Sequence, residues 1–419
     1  MSTHWFHRNL LKATGVVPFD HRTSPSSTDA MQICNQLRRL RQDLLSALCD
    51  PSLDSTLVRD LFDQYISLIL GFIISPDGSS DDSKLRYTTK FYYSDSLTGT
   101  EIITDVQDAQ YELCCMMINM ALWYQKHAAF IAAKSTLPND KDALDIHKSL
   151  RMSAGIFKHV LDVELRKLTN VKLPPCSDLN EKILGAYSYQ SLAEFHEVTV
   201  ARAMNLKQDN ALISSIANQI SQYFDIGGQQ LTTFDDKIAG KWRMYFQLKA
   251  KFYLAEARAY QALSLLDKND GGAALKAVEE AFKVQQQANA FCEEYAKKSA
   301  LGTQAIPKRH PFFLQLDSMI RRIKSTTEFE NTLIHHKKIA DECPPLEPGT
   351  HGILPPEEYV IPKLNSLFSA DAYRAFDIGK NAGKPLKEDK KAREVKEMKE
   401  IPIPQGHADP NQGGSCIIA

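Results

Sequence analysis

The chain has 419 residues, with 50 Lys+Arg against 51 Asp+Glu, 43% hydrophobic and 24% charged residues. This is an ordinary globular composition, and at roughly 150 residues per domain the length alone predicts two or three domains. The formal net charge of -1 leaves no basic field, which excludes a protein that holds nucleic acid by bulk electrostatics.

The N-terminus carries His4, His7, Arg8 and Lys12 where a secretory signal needs an apolar stretch. Ser2 rather than glycine follows Met1, which excludes N-myristoylation. Leu57, Leu61, Tyr65, Leu68 and Phe72 recur at three- and four-residue intervals and predict one apolar helix face. Residues 84–93 are rich in aromatic and β-branched types. The turn-forming residues 94–99 and the short run 101–104 follow, and together they predict a β-hairpin. The longest apolar runs, 66–74 and 114–124, are too short for the roughly 20 residues that span a bilayer. Cys114 and Cys115, among Met116, Met117 and Met120, read as helix core rather than as a reactive pair. His147 beside Lys148 reads as a solvated face at a charged helix start.

No proline occurs from Ser177 to Ile306, and such a stretch of 130 residues permits long helices. Residues 242–266 are apolar or small around much of the helical circumference, which predicts a well-buried helix. The turn cluster 267–272 follows, and then Ala274, Ala277, Ala281 and Ala288 at spacings that let another helix approach closely. The result is an antiparallel helical hairpin of tetratricopeptide-like composition, without a strict repeat of about 34 residues. His335 and His336 are adjacent, so their side chains diverge. They read as a polar loop feature rather than a metal pair. Ten of the nineteen prolines fall in the last 79 residues. Within that region residues 384–400 carry seven basic and five acidic side chains and no apolar stripe, which predicts a flexible tail.

The eight cysteines show no CxxC spacing and no Asn-x-Ser/Thr sequon is present, as expected of a reduced cytoplasmic chain without a zinc or redox motif. GxSxG, Walker, GxGxxG and HExxH motifs are absent too, so no enzyme activity and no bound cofactor are expected. The strongest local signal is Cys416-Ile417-Ile418-Ala419. It matches the C-a-a-X prenylation box, and the terminal alanine favours a farnesyl group on Cys416. One lipid gives only reversible attachment, so a second signal is needed. The net +2 of residues 384–400 is a feeble one.

Several segments resemble the Bro-domain family: residues 3–14, 83–87, 95–97, 121–124, 154–159, 199–203 and 241–243. The resemblance covers nearly the whole chain, and in combination with the terminal prenyl box it is specific. It implies a mainly α fold, a boomerang-shaped helical solenoid with tetratricopeptide-like middle helices and a small β-sheet near the N-terminus. It also implies one domain over residues 1–375, followed by a flexible charged tail over 376–419.

As function, the resemblance implies a non-enzymatic adaptor. Such a protein binds the C-terminal amphipathic helices of ESCRT-III subunits, the charged multivesicular body proteins, in a hydrophobic groove. Carried over by residue, the groove falls on Thr199, Leu212 and Ile216, with Lys148 as a partner for acidic side chains. Leu212 and Ile216 are four apart and share a helix face. Thr199 stands where other members carry a large aromatic. His335 stands where many carry a tyrosine, so no phosphotyrosine switch is expected. The expected location is cytoplasmic, peripheral to membranes at endosomal or nuclear-envelope ESCRT sites. The competing reading is a helical scaffold that links a cytoskeletal or nuclear-envelope partner to membranes.

Overall fold

The structure is a computed structural model that describes residues 4–23, 28–134, 140–169, 171–301, 311–349, 352–377 and 394–404. Among these, the strands are β1 (Arg22–Thr23), β2 (Phe91–Asp95), β3 (Gly99–Val106) and β4 (Phe376–Asp377). The helices are α1 (Thr28–Leu48), α2 (Ser55–Ile73), α3 (Ala109–Lys134), α4 (Asp140–His159), α5 (Glu181–Asn205), α6 (Asn210–Gln230), α7 (Asp236–Asp267), α8 (Gly271–Lys297), α9 (Pro311–Glu330) and α10 (Ala370–Arg374). From α3 to α8 each helix packs against the next, which makes a helical solenoid, and α9 closes over α7 and α8. None of the described helices is long and apolar enough to cross a membrane.

Local sequence sets the boundaries. Asp54, Asn180, Asp209, Asp235 and Asp270 cap five helices by accepting hydrogen bonds from first-turn backbone N–H groups. The α7–α8 turn passes through Asn269 at φ 61°, a left-handed conformation that asparagine tolerates. Ala274, Ala277, Ala281 and Ala288 are all buried on α8, as their spacing predicts. The hairpin forms from antiparallel β2 and β3, pairing Phe91 with Val106 and Tyr93 with Thr104. Helix α3 is the hub of the core. Cys114, Cys115 and the three methionines after them have no solvent exposure.

Three expectations need correction. Leu57 is 52% exposed, because the buried stripe of α2 starts at Val58 and continues through Phe62 and Tyr65. His147 is half-buried, edge-on to Phe195, and burial lowers its pKa. Ordered packing extends into the stretch expected to be a flexible tail. Phe376 pairs with Thr23, and residues 394–404 lie against the helices. There Glu400 accepts from the Leu11 backbone N–H at 2.8 Å and pairs with the buried Lys126 at 2.6 Å, while Ile401 N donates to Cys49 O. The apolar anchors Met398 and Ile403 are too sparse to register as a stripe, yet both pack on the core.

Residues 341–349 and 352–369 form the other unexpected element, an extended strap across the helices. A segment without secondary structure must find partners for its carbonyls elsewhere. Gln261 on α7 donates to Pro345 O at 2.8 Å, and Asn218 on α6 donates to Glu347 O at 3.1 Å. Arg151 on α4 donates to Pro355 O at 2.9 Å, and Asn365 N donates to Ser67 O on α2 at 3.0 Å. The proline-rich composition that ended the helices therefore serves a docked segment.

Candidate functional site

Thr199 lies on α5, and Leu212 and Ile216 lie on α6, which packs beside it. Thr199 is half-buried and donates to Phe195 O at 3.4 Å, the back-bond of a helical threonine. Leu212 sits in the first turn of α6, its N–H held by the Asp209 carboxylate at 3.3 Å, and stays partly exposed while packing on the core. Ile216, one turn on, is 1% exposed. The strap seals it: Gly352, at φ 75°, passes so near that an added Cβ would stand 3.0 Å from Ile216 Cδ1. Thus the two apolar residues share a face, but only Leu212 reaches solvent. Lys148 is exposed on α4, with α5 between it and α6. Cys416 lies outside the described residues.

The strap also meets α5 beside Thr199. Leu354 N donates to His196 Nε2 at 3.1 Å, and His196 Nδ1 lies 2.7 Å from Leu192 O. These partners require a neutral imidazole protonated on Nδ1. Burial agrees, pushing the His196 pKa down to about 4. His335 ends a π-helical turn, Asn331–His335, and His336 follows at φ 49°, so the pair lies at a helix terminus.

The sequence reading missed a set of buried charges on the other side of α5. Lys249 Nζ lies 2.8 Å from both oxygens of Glu197, and both side chains are fully buried. Burial pushes the Glu197 carboxyl up to about 7 and the Lys249 ammonium down. One turn earlier, Glu194 is paired with Arg8 at 2.9 Å and accepts from Tyr245 Oη at 2.7 Å. The available signal was two glutamates three residues apart inside an apolar helix, where an unpaired charge is prohibitively costly.

Comparison with known proteins places this arrangement. The family model described as BRO1-like domain matches residues 20–363. The BRO1 domain-containing protein BROX of Xenopus tropicalis is 36% identical over 90% of this chain and 92% of its own length. BROX of Danio rerio is 34% identical over 99% of this chain and 100% of its own. The solved ALIX BRO1 CHMP4C complex superposes with a TM-score of 0.66 at 19% identity, covering 87% of this chain and 99% of that one. With the helical row, the small hairpin and these matches together, the chain belongs to the BRO1-domain family.

Proposed function

We propose that this chain is a non-enzymatic adaptor that takes an amphipathic C-terminal helix of an ESCRT-III subunit on the α5–α6 face, tethered to membranes by a farnesyl group on Cys416. The observation that carries the reading is Leu212, an apolar side chain left partly exposed on α6, one turn from buried Ile216 and on the helix that packs against the one bearing Thr199. The fold shared with an ALIX domain solved with CHMP4C supports the class of partner. Covering Leu212 contributes up to about 1.5–3 kcal/mol. Ile216 acts from beneath by fixing the floor. Lys148, one helix away, is free to meet acidic residues at the edge of the incoming helix.

The test is calorimetric titration of the full chain with C-terminal helix peptides of several ESCRT-III subunits. Leu212→Asp is expected to weaken binding by at least about tenfold with an unchanged circular dichroism spectrum, because a carboxylate would be desolvated against the ligand. Undiminished affinity in the variant moves the site. Silence from every peptide removes the adaptor reading.

The tether has its own check. Cys416 lies twelve residue steps beyond Pro404, the last described residue, so the anchor stands within about 42 Å of the docked segment at full extension. Cys416→Ser is expected to move the protein from the membrane to the soluble fraction in cells. An unmodified C-terminal peptide in the mass spectrum of the wild-type protein overturns the tether.

A further inference from the structure

The C-terminal half of α5, the second half of α7 and the first turns of α9 line a half-open cavity of about 720 Å³. It is within the size range of small-ligand sites. It lies on a different side of α5 from the strap: Glu197 and Ala201 line it, whereas His196 faces Leu354. Its walls are mixed, with Phe252, Tyr253, Tyr260 and Phe312 as the aromatic members among aliphatic and polar side chains.

At the bottom sits Glu256, 5% exposed, with Oε2 lacking any hydrogen-bond partner. A buried carboxyl oxygen normally has a partner, so its absence marks a place for an incoming donor. The neighbouring Lys249 is engaged by both oxygens of Glu197 at 2.8 Å. At the rim, Arg202 is solvent-exposed beside Asp140 and Arg322 is exposed on α9.

We propose that this cavity binds a primary alkylammonium group, with the cation seated on Glu256 and its methylenes along Phe252, Tyr253 and Phe312. Carboxylate and aromatic faces are the two environments that favour an ammonium away from water. A carboxyl in a dry pocket without a cation holds its proton, and burial indeed pushes Glu256 up to about 8, with Glu197 adding to the rise and Lys249 opposing it. Binding is therefore an exchange: the ammonium enters, the Glu256 O–H bond breaks, and its proton leaves to solvent. The charged or titratable groups around Glu256 are Glu197, Lys249, Tyr253, Tyr260, Arg202, Arg322, His4 and, at the rim, Asp140. Of these, Glu197 is raised to about 7 and adds negative charge as pH rises, in the same direction as Glu256 itself.

The experiment is calorimetric titration of the full chain at pH 7 in phosphate and in Tris, with n-hexylamine as probe and n-hexanol as its uncharged counterpart. Two further arms, spermidine and Nα-acetyl-lysine methylamide, distinguish a free polyamine from a lysine side chain of a partner. The amine is expected to bind at least tenfold more tightly than the alcohol. The heats in the two buffers should differ by close to one released proton, and affinity should rise from pH 6.5 to 8. Glu256→Gln, which keeps the shape, should lose at least tenfold for every ammonium and release no proton. Equal binding of alcohol and amine overturns the proposal. So does full amine affinity in Glu256→Gln, or no binding by any ammonium probe.

Discussion

Replacing Lys12 with methionine is expected to destabilise the protein by about 3–5 kcal/mol, the usual cost of removing one partner from a buried ion cluster. Lys12 Nζ lies 2.7 Å from Asp95 Oδ1 and 3.0 Å from Asp178 Oδ2, and all three side chains are essentially inaccessible. Burial alone pulls the ammonium pKa down, but the two carboxylates outweigh it and hold Lys12 above the ordinary lysine range. Asp178 is already raised by burial. Without Lys12 the two aspartates face each other with no cation, and one must take a proton.

The damage would spread, because the cluster joins three parts of the chain. Asp178 accepts from Ser96 N at 2.7 Å at the hairpin turn, and Asp95 accepts from Asp178 N at 3.0 Å ahead of α5. The N-terminal segment is held to α3 by Lys12 N donating to Asn119 Oδ1 and Asn119 Nδ2 donating to Lys12 O. Urea denaturation would show the loss as a lower midpoint at an unchanged slope. The deficit also has a pH signature. In the variant Asp178, already raised by burial, has a folded pKa above its unfolded one, so the folded state binds the extra proton. Stability is then retained at low pH and lost as pH rises through the raised value. The gap to wild type should accordingly narrow toward pH 4. Adding Asp178→Asn should restore more than half of the loss. A deficit below about 1 kcal/mol overturns the assignment.

That cluster marks the limit of what was legible in the sequence. The α7–α8 hairpin, the alanine stripe, the β2–β3 hairpin and the buried Cys114-Cys115 helix were readable because each depends on neighbours a few residues away. Arg8 and Lys12 read as a polar, basic terminus, yet both are buried. Their partners, Glu194 for one and Asp95 and Asp178 for the other, lie 83 to 186 residues along the chain. No periodicity reports such a pairing. The same holds for the site. The four-residue spacing of Leu212 and Ile216 placed them on one helix face, but the strap that covers Ile216 comes from residues beyond 340. Proline content told where helices stop, not where the extended chain goes next. Residues 394–404 make the same point, since two apolar anchors, one Glu400–Lys126 pair and two hydrogen bonds dock a charge-dense stretch.

The strap yields the second large expected effect. Gly155→Ala in α4 should destabilise the protein by about 2–4 kcal/mol and expose residues 344–369 to protease. An added Cβ would stand 1.8 Å from Glu357 O, a backbone atom that cannot rotate aside. Helix α4 cannot withdraw, because Ala154, Ile156 and Phe157 are fully buried and Ser153 Oγ donates to Ala121 O at 2.8 Å. The strap must therefore lift. It would lose the Glu357 N bond to Arg151 O at 3.2 Å and the Arg151–Glu357 pair at 2.9 Å. Tyr359, packed edge-on to His159 and beneath Arg59, would be uncovered. Helix propensity runs the other way, because alanine in a helix interior is favoured over glycine by about 1 kcal/mol. The two effects have opposite signs, so the measurement decides between them. A variant more stable than wild type, with residues 344–369 still protected, would mean that no carbonyl crosses Gly155. A loss of stability together with cleavage in that segment establishes that the strap is held there by contact with the glycine face of α4.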